Sequence, residues 1–314
     1  DRYITPIKID PFTVPIQEKA ELLLQINEQF LSYQDKGIKK AYSFLSFAQE
    51  DKIFASTVGS IIEQTLYRSY PGMGCTAIAN GDAQGRNYER PPLNIGYEHI
   101  DRADLLGNVE RVANEAIEKV HAPEFTGDGK TTLILKPSNL FLTIHESVGH
   151  PTELDRVYGY EANFAGTSFA TTDNLHQLQY ASPWINLVAD RTQPQGRSTV
   201  AYDDEGVPAQ RWYVVKDGIL NDYLTDRETA FRLGRGSSNG SAFADSWSST
   251  PMVRIPNLGL EPGKPGDSHT ATLEEMIADT EEGILIDGIG SYSIDQQRRN
   301  FQFGGDAFWQ VKNG

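Results

Sequence analysis

Cysteine is almost missing. Cys75 is the only one among 314 residues, so the chain can form no internal disulfide. That usage fits a reducing compartment, and a cytoplasmic location is the expectation. A lone cysteine reads as a small buried hydrophobe. Long apolar runs are missing too: no stretch of about 18 apolar residues occurs, so no segment reads as a membrane span. Positive charge is the third shortage. The 28 Lys and Arg stand against 43 Asp and Glu, a formal net charge of -15. A surface of that sign repels phosphate backbones and anionic lipid, which argues against nucleic acid and membrane as direct partners. The chain opens on Asp1 rather than Met and stops after Val311-Lys312-Asn313-Gly314, in what reads as the start of a turn. A fragment or a processed chain is the expectation, compatible with a removed targeting peptide.

What is present supports a folded body. Hydrophobic residues make up 39% of the chain, enough for one large or two medium domains. Pro15 to Gln34 has apolar residues at helical spacing, and Asp101 to His121 reads as a second long helix. Between them, Ala41 to Phe47, Lys52 to Ser56 and Ser60 to Arg68 read as successive short strands, with Glu50-Asp51 as a polar turn. A loop ending in Thr126-Gly127-Asp128-Gly129-Lys130 leads to a short strand, Thr131 to Leu135. Pro137-Ser138-Asn139 then opens a helix over the apolar Leu140 to Ile144. After about Tyr158 the pattern turns to short apolar runs between turn signals. Arg211 to Val215 and Ile219 to Leu224 flank Lys216-Asp217-Gly218 as a hairpin. Ile284 to Ile289 and Phe301 to Val311 read as strands, with short helices near Asp226 to Leu233 and Leu273 to Thr280. The fold class is α+β. An α/β part over residues 1–157 ends in a motif-bearing helix, and a mainly antiparallel β part covers residues 158–314.

The motif is His145-Glu146-Ser147-Val148-Gly149-His150, which takes two of only six histidines. Zinc takes imidazole nitrogen, thiolate or carboxylate, and catalytic sites leave one position for water. The common helical form is H-E-x-x-H, and here the spacing is one residue longer. On a regular helix a step of four leaves two side chains about 40° apart, a step of five about 140°. A shared metal therefore requires a local widening, such as a π-type turn. Gly149 can relax the backbone inside the motif, and Pro151 breaks the ladder just after it. A solvated surface helix is the plain alternative, but the preceding apolar stretch points to partial burial. His99, His121 and His269 read as structural, and His176 has no spacing argument. Gly129-Lys130-Thr131 is not a phosphate loop: Glu124 stands where the motif needs Gly, and a strand follows.

Several stretches resemble the TldD/PmbA family of metallopeptidases. His145 to Arg156 matches its H-E-x-x-x-H site and the Glu three residues after the second His, here Glu153. Phe164 to Ala170, Tyr202 to Gln210, Val215 to Gly234, Glu281 to Gly290 and Gly305 to Gly314 follow in family order, while the chain before Thr131 fits its middle portion more loosely. The resemblance implies a zinc-dependent endopeptidase that cleaves unfolded or flexible peptides. His145 and His150 would be zinc ligands and Glu146 the general base. It also implies a dimer, of one subunit or with a paralogue lacking the motif. The family's third ligand is a cysteine beyond the position of Gly314. A truncated chain is the favoured account of its absence, with a carboxylate such as Glu153 as the substitute. Glu153, Thr167, Ser168 and Phe169 are candidate substrate contacts; the last three read equally as an edge strand for an extended peptide or as an interior strand. The acidic run Asp203-Asp204-Glu205-Gly206 reads either as a solvated turn or as lying near the cleft. The competing functions are a non-catalytic metal-binding or scaffolding subunit and an amide hydrolase for a small molecule. Glu146 speaks against the first, because a structural zinc site needs no base.

Overall fold

The computed structural model describes residues 1–127, 129–264 and 266–314. Strand β1 (Arg2–Ile4) precedes helix α1 (Ile16–Leu31), which Pro15 opens and which buries Ile26 and Phe30. Two long strands follow, β2 (Ile38–Ala55) and β3 (Ile61–Ala79), then β4 (Asp82–Glu89). β2 and β4 pair antiparallel with β3, and β1 pairs parallel with it. The short strands expected here are one hairpin, and Glu50-Asp51 is no turn. The chain reverses instead at residues 56–60, with Gly59 at φ 96. Within β2 the half-buried Glu50 pairs with Arg68 at 2.7 Å, and on the opposite face the exposed Asp51 accepts from Thr65 Oγ1 at 2.7 Å across the ladder. Charge on an exposed strand face looks like a turn signal when only the sequence is read.

The second long helix is two. Helix α2 (Glu98–Ala103) stops at Asp104, whose φ of 45 breaks the ladder, and α3 (Leu105–His121) begins there, with the Asp104 carboxylate accepting from the Gly107 N–H at 3.2 Å. α1 and α3 cover one face of the β2–β3–β4 sheet. Ile26, Phe30, Met73, Cys75, Ala77, Val109 and Val112 are among the buried residues of this layer. Cys75 is the core residue expected of it: its thiol meets the Val112 carbonyl, and burial pushes its pKa up to about 12.

Strand β5 (Thr132–Leu135) leads into α4 (Pro137–Ile144) and the motif, and α5 (Leu154–Val157) follows. Of the loop before β5, Asp128 lies outside the described residues. The remaining elements are β6 (Leu187–Asp190), β7 (Arg211–Lys216), β8 (Ile219–Leu220), α6 (Arg227–Arg232), β9 (Ala242–Phe243), β10 (Met252–Val253), β11 (Leu258–Leu260), α7 (Leu273–Ala278), β12 (Glu282–Asp287), β13 (Tyr292–Ile294), β14 (Phe301–Phe303) and β15 (Ala307–Lys312). One sheet runs β11-β6-β7-β8, all antiparallel; another runs β15-β12-β5, with β5 parallel to β12. The hairpin between β7 and β8 turns at Asp217 and Gly218, with φ 50 and 76, as the sequence signal required. The strand expected from Phe301 to Val311 is split at Gly304-Gly305. The fold is α+β. Arg86, only 3% exposed, ties its two ends together through Glu115 on α3, Asp287 on β12 and Asp306, each at 2.7 Å. No helix among the described residues is long and apolar enough to cross a membrane.

Candidate metal centre

Pro137 supplies the fixed φ suited to the first turn of α4. Asn139 anchors that helix by donating to the carbonyls of Gly288 at 2.8 Å and Gly304 at 3.1 Å. At His145 the helix widens into a π turn over His145–Gly149, closed by the His150 N–H on the His145 carbonyl. This is the widening that the five-residue spacing demanded. The two imidazole rings lie 4.6 Å apart at 83°. One possible ligand atom from each of His145, Glu146 and His150 falls within 4.8 Å of the others, the one such group among the described residues.

Gly149 serves the turn differently from the expectation. Its φ of -57 is ordinary helix, so no backbone freedom is used. An added Cβ would come within 2.6 Å of Ile255 Cδ1; the glycine makes room for packing. Pro151 does end the ladder, and Thr152 Oγ1 donates to the freed carbonyls of Val148 at 2.7 Å and Gly149 at 3.0 Å.

Behind the histidines lies a layer of buried charge. His150 Nδ1 donates to Glu153 Oε2 at 2.8 Å, which leaves Nε2 as the ring atom free for a ligand role. Arg156 donates to the same oxygen from Nη2 at 2.8 Å and lies 2.8 Å from Glu161 Oε2. Burial alone would raise the Glu153 pKa, but the hydrogen bond from His150 and the charge of Arg156 win and hold it below the usual carboxylate range. Glu153 thus backs a histidine instead of joining the ligand group or facing a substrate, contrary to both roles expected for it. His145 keeps solvent access, yet the protein around its ring, then His150, hold its pKa below the ordinary value. That favours the neutral imidazole a metal needs. Two imidazoles with a carboxylate beside them form a donor set that fits a divalent ion such as zinc.

Sequence reasoning missed Arg298. Its Nη1 donates to Glu146 Oε2 at 2.6 Å from 152 positions away. No spacing rule reaches that far. Thr167, Ser168 and Phe169 do not form the expected edge strand. Gly166 at φ 84 turns the chain, the Thr167 N–H meets the Gln296 carbonyl at 2.8 Å, and Ser168 Oγ donates to the Pro151 carbonyl at 2.6 Å. Phe169 packs on Tyr180 instead. The acidic run is a structural node. Asp203 accepts from the N–H groups of Glu205, Val207 and Ala242, and Asp204 pairs with Lys52 at 2.9 Å. His99 is buried against the Pro91 carbonyl at 2.9 Å, and His269 stacks on Trp184.

Residues 128–314 match the PmbA/TldA metallopeptidase C-terminal domain, and residues 9–122 match the central domain of the same group. Metalloprotease MJ0996 of Methanocaldococcus jannaschii is 31% identical over 100% of the chain and 64% of its own length. A metalloprotease of Methanothermobacter thermautotrophicus is 27% identical over 97% of the chain and 62% of its own length. A zinc metalloprotease TldD homolog of Saccharolobus solfataricus is 29% identical over 74% of the chain and 48% of its own. The chain therefore spans 64% or less of these relatives. Among solved structures, a Thermotoga maritima protein proposed to modulate DNA gyrase superposes with a TM-score of 0.80 at 18% identity, over 98% of this chain and 65% of that one. TldE from Thermococcus kodakarensis gives 0.68 at 19%, over 93% and 62%. At such identities the likeness speaks for the fold.

Proposed function

The chain belongs to the PmbA/TldA metallopeptidase family, and from that premise we propose that it is a catalytic, zinc-dependent endopeptidase subunit acting on unfolded or flexible peptides. The observation that carries this reading is the π turn, which sets His145, Glu146 and His150 within 4.8 Å of one another. His145 and His150 would hold the zinc. The cysteine expected beyond Gly314 would be a further ligand. Bound zinc supplies Lewis acidity, lowering the pKa of water and polarising the scissile carbonyl. Glu146 takes one proton from the attacking water as its oxygen bonds the carbonyl carbon. It then delivers that proton to the amide nitrogen as the C–N bond breaks. Glu153 keeps His150 in one tautomer and one orientation.

In this reading, residues 1–157 end in the motif, and residues 158–314 supply Arg298, which reaches back to Glu146. TldE among the structural neighbours supports a paired arrangement, either of two copies or with a paralogue. Replacing Glu146 with Gln keeps the shape and removes the base. Zinc measured by elemental analysis should stay, while cleavage of a quenched fluorescent peptide falls by about 10²–10⁴-fold. Cleavage at the parent rate would refute the mechanism.

A further inference from the structure

A general base works only while its carboxylate is held within hydrogen-bond reach of the proton it takes. In this chain that orientation comes from outside the motif. Arg298 Nη1 donates to Glu146 Oε2 at 2.6 Å, both side chains being largely buried. Among the described residues, no other group hydrogen-bonds the Glu146 carboxylate.

Arg298 is itself tightly held. Its φ of 62 lies in the left-handed region, which a non-glycine residue keeps only when its surroundings impose it. Here they do. Asp295 accepts from the backbone N–H groups of Gln297 at 3.1 Å, Arg299 at 2.9 Å and Asn300 at 3.1 Å, and from Asn300 Nδ2 at 2.6 Å. Its carbonyl accepts from the Arg298 N–H at 3.1 Å. The turn docks on residues 165–167. The Gln296 carbonyl accepts from the Thr167 N–H, and it lies so close to Gly166 that an added Cβ there would sit 2.2 Å from it. Arg298 Nη2 donates to the Ala165 carbonyl at 3.3 Å, which also takes Arg156 Nη1 at 2.5 Å. Hydrogen bonds therefore run without a break from Glu146 through Arg298, Ala165, Arg156 and Glu153 to His150.

We propose that Arg298 is a positioning residue for hydrolysis: it clamps one oxygen of Glu146 and so leaves the other to face the histidine pair. The inference rests on the hydrolytic reading above. A fork of donors on a strained, caged turn suits that task. A lysine could supply the charge but not the planar, multi-donor geometry.

The test uses the full-length, zinc-loaded protein and a quenched fluorescent peptide. Arg298→Ala should lower kcat by about 10–10²-fold with little change in KM, the scale of a catalytic group displaced by about 1 Å. Arg298→Lys, which keeps stem and charge, should lose about 3–10-fold and serves if the alanine variant does not fold. Zinc content should match the parent. Adding Arg298→Ala to Glu146→Gln should cost nothing further, because the clamped group is already disabled. A crystal structure of the arginine variant should show the Glu146 carboxylate moved. Parent-like kcat in either variant overturns the proposal, as does a rise in kcat, which would make Arg298 a lock on the base. Equal losses with and without Glu146 also overturn it. If the parent cleaves no peptide, the hydrolytic reading fails by itself. The position of Glu146 in the variant crystal then decides the clamp: displacement supports it and an unmoved carboxylate overturns it.

Discussion

The layer of α1 and α3 on the long hairpin and the layer behind the histidines are built on opposite principles. In the first, Ile26, Phe30, Met73, Val109 and Val112 are fully buried and need only the right shape and volume. In the second, Glu146, Glu153, Asp155, Arg156 and Glu161 are buried within a few turns of chain. Burying charge is costly unless every ion is paired, and the gain in stability over an apolar core is small. What the charges supply is direction: a hydrogen bond fixes an angle that packing leaves loose. The difference teaches that the hairpin layer stabilises and the charged layer aims.

The sharpest way to break this comparison is Glu153→Ala. It takes from Arg156 one of its two carboxylate partners and frees the His150 ring, so stability should fall by about 3–5 kcal/mol. Metal affinity should drop by about 10–100-fold as well. Denaturant melts and zinc titration check both; loss of stability with unchanged zinc affinity would separate what the comparison joins.

Asp155 sharpens it through pH. Burial first, then the charges of Glu153 and Glu161, push its pKa up to about 7 from an ordinary 3.8. Between those values the folded protein holds a proton that the unfolded chain has released. Its contribution is therefore complete below about pH 4 and is lost as pH rises to about 7, on the order of 4 kcal/mol in all. Asp155→Asn should remove this fall from a stability profile measured over that window. A parallel profile in the variant would show that Asp155 is ionised throughout.

The smallest effect belongs to the apolar layer. Ile26→Val should cost about 0.5–1.5 kcal/mol and leave zinc content and peptide turnover untouched. A change in turnover would mean that the hairpin layer also aims.

The parts of this arrangement that could be read in the sequence were the local ones. A five-residue histidine step needs a local widening of the helix if both rings are to meet, and the π turn supplies it. Apolar spacing placed α1, and Asp217-Gly218 fixed its hairpin. Glu50-Asp51 misled because an exposed strand carries charges at will, and Asp104 broke a helix whose apolar stripe ran on past it. Thr167 to Phe169 looked extended because nothing nearby in sequence reveals that Ser168 bonds Pro151. Glu153 was visible as a match, but its partners decide its role, and they are Arg156 and a histidine facing the other way. Arg298 left no sign, because its partner lies a whole fold away.

That distance has a consequence in time. A ribosome adding about 5–20 residues per second leaves roughly eight to thirty seconds between the emergence of Glu146 and that of Arg298, 152 positions later. Through that interval Glu146 has been made without the arginine that holds it. The contact with Arg298 can form only after all the residues between the two have been made, so Glu146 is held later in synthesis than the helix that carries it.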